Sequence, residues 1–120
     1  GFSVKDAKIA IFGLSFKPNV TATRHTLSVA LYHLLTSRGA MVFVYDPLAN
    51  GNGVEINRVD WDALPICHAI VLAQEHDAFI QQGMAGLCDK LIENGVFIDV
   101  PGVFAKRPRG LRLNVHYWGL

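Results

Sequence analysis

The apolar positions of this chain fall into short blocks with two alternating rhythms. Residues 8–13 form a brief apolar, β-branched run, too short for a helix, and predict a first strand. Across 26–38 the rhythm changes: Leu27, Ala30, Leu31, Leu34 and Leu35 recur at helical spacing, and Gly39 supplies the stop. Met41 to Tyr45 reads as a second strand closed by Asp46-Pro47. Residues 48–60 read as a loop with turn chemistry at Asn50-Gly51-Asn52-Gly53. Asp60 to Leu64 suits a short helical turn. Ala69 to Ala73 is a third strand, apolar enough to be buried on both faces. Asp77 to Ile92 predicts a helix with a carboxylate at its start, where the dipole favours it. Val96 to Val100 is a fourth strand, stopped by Pro101-Gly102, and Leu111 to Trp118 a last one. The order β-α-β-β-α-β-β predicts an α/β fold, a Rossmann-like three-layer domain with a mostly parallel sheet of about five strands. Residues 1–120 read as one domain, without a linker, internal repeat or low-complexity stretch.

The connection after the first strand stands out. It runs for about 12 residues, where such connections typically take ~2–6. It carries two cations, Lys17 and Arg24, and Pro18 biases Lys17 toward an extended backbone. In parallel α/β sheets ligands bind beyond the carboxyl ends of strands, so both cations stand where an anion is expected. Solvated loop cations are the alternative. Other candidates lie at the same edge. Asp46 would grip a ribose hydroxyl in a dinucleotide fold, or simply make a turn with Pro47. Glu75, His76 and Asp77 would cap the next helix, with His76 as an acid–base alternative. Asp99 is the second-best site candidate after the cation pair. His116-Tyr117-Trp118 would stack on a base or pack as an aromatic strand.

Composition narrows the function classes. The chain is 51% hydrophobic and 18% charged, which suits a well-buried globular domain. A net charge of +1 gives no support for nucleic-acid binding, and the small cluster Lys106, Arg107, Arg109, Arg112 reads as a solvated loop. No apolar run approaches the ~20 residues of a membrane helix. Cys67 and Cys88 match neither a disulfide framework nor a zinc site, and no metal site is expected; buried free thiols in a reducing cytoplasm are the reading. The glycine-rich turn of a dinucleotide fingerprint is missing: Gly13 is followed by Leu14, Ser15 and Phe16.

Phe12 to Arg24, read F-G-L-S-F-K-P-N-V-T-A-T-R, resembles the opening of the C-terminal domain of the UDP-glucose/GDP-mannose dehydrogenase family, G-L-x-F-K-x-x-x-x-D-x-R-E-S. Arg38-Gly39-Ala40 with Val44-Tyr45-Asp46-Pro47 is similar to the family's R-G-A…V-Y-D-P, and His68-Ala69-Ile70-Val71 with Asp77-Ala78-Phe79 to its D-A-x-V and D-x-F. Asp99-Val100-Pro101-Gly102 falls where the family closes a strand.

The resemblance implies a UDP-sugar-binding domain of an NAD-dependent nucleotide-sugar 6-dehydrogenase, which makes UDP-uronic acids. Phe16 and Lys17 would contact the nucleotide sugar. Arg24 would reach toward NAD, held mainly by an N-terminal dehydrogenase domain outside this chain. The family's cysteine nucleophile motif has no counterpart here, so no catalytic residue is expected in these 120 residues. The implied setting is cytoplasmic, and a homo-oligomer fits it. Ala22, His25-Thr26 and Pro101 depart from the family pattern. They motivate a second reading, a binding-only or scaffolding domain of the same fold without ligand function. Neither the sugar nor the base is specified by these motifs.

Overall fold

The computed structural model describes residues 4–14, 27–47, 56–105 and 114–119. Five parallel strands make one sheet: β1 (Lys8–Phe12), β2 (Met41–Tyr45), β3 (Cys67–Leu72), β4 (Leu91–Asp99) and β5 (His116–Gly119), ordered β2-β1-β3-β4-β5. Helix α1 (Leu27–Ser37) lies between β1 and β2 in the chain, and α2 (Asp77–Leu87) between β3 and β4. Short 3-10 turns occupy Trp61–Ala63 and Cys88–Lys90.

Away from the irregularity between Cys67 and Ala69, the strands alternate between two cores, as the two-residue period of a pleat requires. Ile9, Ile11, Val42, Val44, Ala69 and Val71 face the layer of α1. Ala10, Phe12, Ile70, Leu72 and Phe97 face the layer of α2, which contributes Phe79, Met84 and Leu87. Both faces are therefore covered, which is why the central strands read as continuous apolar runs. The three-layer α/β fold and its parallel sheet are as the sequence predicts.

The element boundaries differ in instructive ways. The apolar stripe expected on α1 is rotated. Val29, Leu31, Tyr32 and Leu35 pack on the sheet and Ser28 is buried, while Leu27 and Leu34 are 62% and 51% exposed. Ser28 Oγ donates to the carbonyl of Gly13, and this polar tie sets the roll of the helix against its leucines. The helix expected over Asp77 to Ile92 ends at Leu87 and is broken at Gly83, where φ is 76° and ψ 161°. Strand β4 consequently begins at Leu91 rather than Val96, with Asn94 at φ 63° and a register irregularity against β3 between Cys67 and Ala69.

Candidate functional site

Because every strand is parallel, all five carboxyl ends share one edge. The strand order reverses direction between β1 and β3, so the crevice expected for a ligand opens at their ends. Gly13 ends β1 there with φ +100°, a conformation that side chains rarely adopt. A Cβ on Gly13 would come within 2.7 Å of Gln74 Cβ and 2.9 Å of its backbone nitrogen. The glycine therefore serves close approach of two strand ends. Its free side is filled by Gln74, so this turn does not fit the pyrophosphate of a dinucleotide.

Five elements meet at Gly13 and Leu14. The Gly13 N–H donates to the Tyr45 carbonyl at the end of β2, at 2.9 Å. The Gly13 carbonyl accepts from Ser28 Oγ in the first turn of α1. The Leu14 N–H donates to Asp46 Oδ2 at 2.7 Å, and His76 Nε2 lies 2.9 Å from the same oxygen. Asp46 and His76 are 3% and 0% exposed, and the His76 ring stacks on Phe79. In the tautomer with its proton on Nε2, His76 donates to the same oxygen. Leu14 and Ser28, the described residues nearest to 15–26 on either side, are thus tied to one junction.

Each expected site residue can now be placed. Phe16, Lys17 and Arg24, with Ala22 and His25, lie outside the described residues, as does the basic cluster 106–112. Asp46 does more than form a turn with Pro47; it is a buried acceptor for two elements. His76 occupies the N-cap position of α2, where its carbonyl accepts from Phe79 and Ile80, but its ring makes no cap bond. Neither a solvent-facing acid–base role nor a side-chain cap fits a ring that is 0% exposed and turned to Asp46.

Asp99 is corrected most strongly. It is fully buried, Oδ1 accepts the Gly102 and Val103 N–H groups, and Oδ2 accepts Phe104 N–H at 2.8 Å and Tyr117 O–H at 2.7 Å. A carboxylate holding four donors from its own chain organises the turn after β4 and is spent on that task. In the His116-Tyr117-Trp118 run, Tyr117 stacks on Phe97, 6.3 Å between centroids, whereas Trp118 is 64% exposed. Cys67 and Cys88 are buried free thiols. Burial pushes the Cys67 thiol up to about 11 and that of Cys88 up to about 12, so neither is a thiolate near neutral pH. What sequence reasoning missed here is the bonding of Asp46 to the Leu14 N–H and to His76, since the shared strand edge brings these residues together without specifying their partners.

Comparison with known proteins bears on the same edge. Residues 10–106 match the UDP-glucose/GDP-mannose dehydrogenase family, UDP binding domain. A UDP-glucose 6-dehydrogenase of Rhizobium meliloti is 32% identical over 85 residues, spanning 66% of this chain and 20% of that protein. A UDP-N-acetyl-D-mannosamine dehydrogenase of Methanococcus maripaludis is 31% identical over 97 residues, 78% of this chain and 22% of that protein. Among solved structures, an NDP-N-acetyl-D-galactosaminuronic acid dehydrogenase from Methanosarcina mazei superposes with a TM-score of 0.72 at 26% identity, covering 99% of this chain and 25% of that one. A UDP-D-ManNAc dehydrogenase from Pyrococcus horikoshii shares the fold with a TM-score of 0.74 at 19% identity, over 98% of this chain and 26% of its own. The chain thus spans a fifth to a quarter of the length of these relatives. Among its described residues no helix is long and apolar enough to cross a membrane.

Proposed function

The chain belongs to the UDP-glucose/GDP-mannose dehydrogenase family, through its UDP binding domain, and on that premise we propose that residues 1–120 bind the nucleotide part of a UDP-sugar for a larger NAD-dependent dehydrogenase that oxidises it to the uronic acid. The observation that carries this reading is the knot at Gly13 and Leu14. It fixes Leu14 and Ser28, the described residues nearest to 15–26 on either side, at the carboxyl edge of the sheet, where a parallel sheet accepts ligands. Lys17 follows Leu14 by three residues and is assigned to the pyrophosphate, with Phe16 beside it on the nucleotide sugar. Arg24 is assigned to NAD held by another part of the enzyme. That assignment agrees with the filled turn at Gly13, which leaves this chain without a dinucleotide cradle of its own. Its partners are accordingly a UDP-sugar and the N-terminal dehydrogenase domain of the same enzyme, in a cytoplasmic homo-oligomer.

Titration with UDP and UDP-glucose, followed by amide chemical shifts, tests this. Binding by the chain alone is expected near millimolar, because half a cleft offsets little of the orientational cost of association. Lys17→Ala is expected to weaken it roughly 10–100-fold, the worth of one charge-assisted hydrogen bond of about 1.5–3 kcal/mol. Arg24→Ala should change UDP binding much less. Absence of any perturbation in the wild-type chain at several times that ligand concentration would support the scaffold reading instead.

A further inference from the structure

We infer that Asp46 is a positioning residue for nucleotide-sugar binding, and that His76 holds its carboxylate in place. The inference rests on the UDP-sugar reading above and adds to it a pair of residues that do not touch the ligand. A carboxylate and an imidazole, 3% and 0% exposed, form a pair that is costly to bury. The histidine sits at the N-cap position of α2 but makes no cap bond with its ring. Their shared geometric effect is on Leu14: the Asp46 Oδ2 atom fixes its N–H at 2.7 Å while His76 Nε2 fixes that oxygen at 2.9 Å. Leu14 itself is fully buried, so the direction of the chain as it leaves the sheet is doubly determined, by side-chain packing and by this bond.

The pair also joins elements that are distant in sequence. Asp46 ends β2, His76 precedes α2, and Leu14 follows β1. The His76 ring is itself oriented by stacking on Phe79, at 5.5 Å between centroids and 28° between planes. A lateral shift of α2 or β2 is therefore transmitted to Leu14, the residue that precedes the stretch assigned to the nucleotide. Positioning of this kind is sensitive: a displacement of about 1 Å at a binding group can cost on the order of 100-fold in function.

The test compares dissociation constants for UDP-glucose in the 120-residue chain and four variants, beside their thermal midpoints. Asp46→Asn keeps the shape but replaces the charged acceptor of the Leu14 N–H and His76 Nε2 with a neutral carboxamide oxygen, and is expected to weaken UDP-glucose on the order of tenfold. His76→Phe keeps the stack on Phe79 and removes the Nε2 donor, and should weaken binding in the same direction. His76→Gln restores a donor near that point and should recover most of the affinity. Phe97→Leu, in the core away from the junction, should lower the midpoint and leave the dissociation constant unchanged. Should Asp46→Asn fail to fold, the contrast between His76→Phe and His76→Gln carries the test. The inference is overturned if folded Asp46→Asn, or His76→Phe, binds as the wild type does. It is equally overturned if Phe97→Leu loses as much affinity as they do, or if His76→Gln is as weak as His76→Phe. Loss of binding in Lys17→Ala with none in Asp46→Asn would leave the UDP-sugar reading standing and remove only the positioning role. No binding by the wild-type chain would remove both.

Discussion

Two aspartates lie at the carboxyl ends of β2 and β4 on one sheet edge, and their surroundings divide their work. Asp46 is buried, and its oxygen joins the ends of three elements. Asp99 faces its own chain and takes four donors, three from the backbone and one from a phenol. Burial without solvent makes each of those bonds a requirement, since an orphaned donor would forfeit its desolvation cost. Tyr117→Phe is therefore expected to destabilise the fold by about 1.5–3 kcal/mol, the worth of a hydrogen bond to a charged acceptor. Asp99→Ala strands three N–H groups and a hydroxyl and should cost distinctly more. Urea denaturation of the two variants checks this order; a Tyr117→Phe protein as stable as the wild type would contradict it. Sequence alone treats the two aspartates alike, because each follows an apolar strand, and only their partners separate them.

At the scale of elements, single polar or glycine positions override the apolar rhythm. On α1 the leucines suggest one face, yet the bond from Ser28 to Gly13 turns the helix so that Leu27 and Leu34 remain exposed. In α2 the pattern continues through Gly83, but the backbone there takes a φ of 76° with ψ near the extended range. That region is essentially closed to residues with a Cβ. A Cβ at Gly83 would meet nothing within 4 Å, so the penalty of Gly83→Ala is conformational and free of clashes. It should amount to roughly 1–3 kcal/mol, read from a shifted thermal or urea midpoint. An unchanged or raised midpoint would mean that the segment readily straightens into the continuous helix that the periodicity suggests. The early end of α2 also explains the length of β4: residues from Leu91 onward are released to pair with β3, and Asn94-Gly95 absorbs the extra length.

At the scale of the whole molecule, the strand order places one crevice between β1 and β3 and brings to it the ends of strands that are far apart in sequence. The same order brings Gln74 against Gly13 and closes the turn to a dinucleotide. Among the described residues, the turn at Gly13 is filled by Gln74 and the two thiols are held protonated by burial. The purified 120-residue chain is thus expected to form no NADH from NAD and UDP-glucose, followed by NADH absorbance over hours. Sustained turnover abolished by Cys67→Ser or Cys88→Ser would refute this. The relatives that contain such a domain are four to five times longer, consistent with the remaining chemistry residing in the rest of their chains.

The amino-acid pattern alone determined the fold class, β1, β2 and β3 to within two residues, the presence of β4 and β5 with displaced boundaries, and the family resemblance around Phe16, Lys17 and Arg24. These are local properties: β-branched runs, turn residues and motif spacing are set by neighbours a few positions away. It also assigned the two cysteines correctly to the core, because apolar context within one strand or helix already implies burial. The roll of α1, the break in α2, the spent role of Asp99 and the pairing of Asp46 with His76 were decided by tertiary structure. The roll of α1 and the Asp46–His76 pair depend on partners 15 to 32 residues away, the break in α2 on a backbone angle that neighbouring residues leave free, and the role of Asp99 on Tyr117 together with three N–H groups of its own turn. Such contacts exist only once a parallel sheet has brought its carboxyl ends together. A polar side chain then takes whatever donor or acceptor burial leaves without water, and no periodicity along the chain records which one that is.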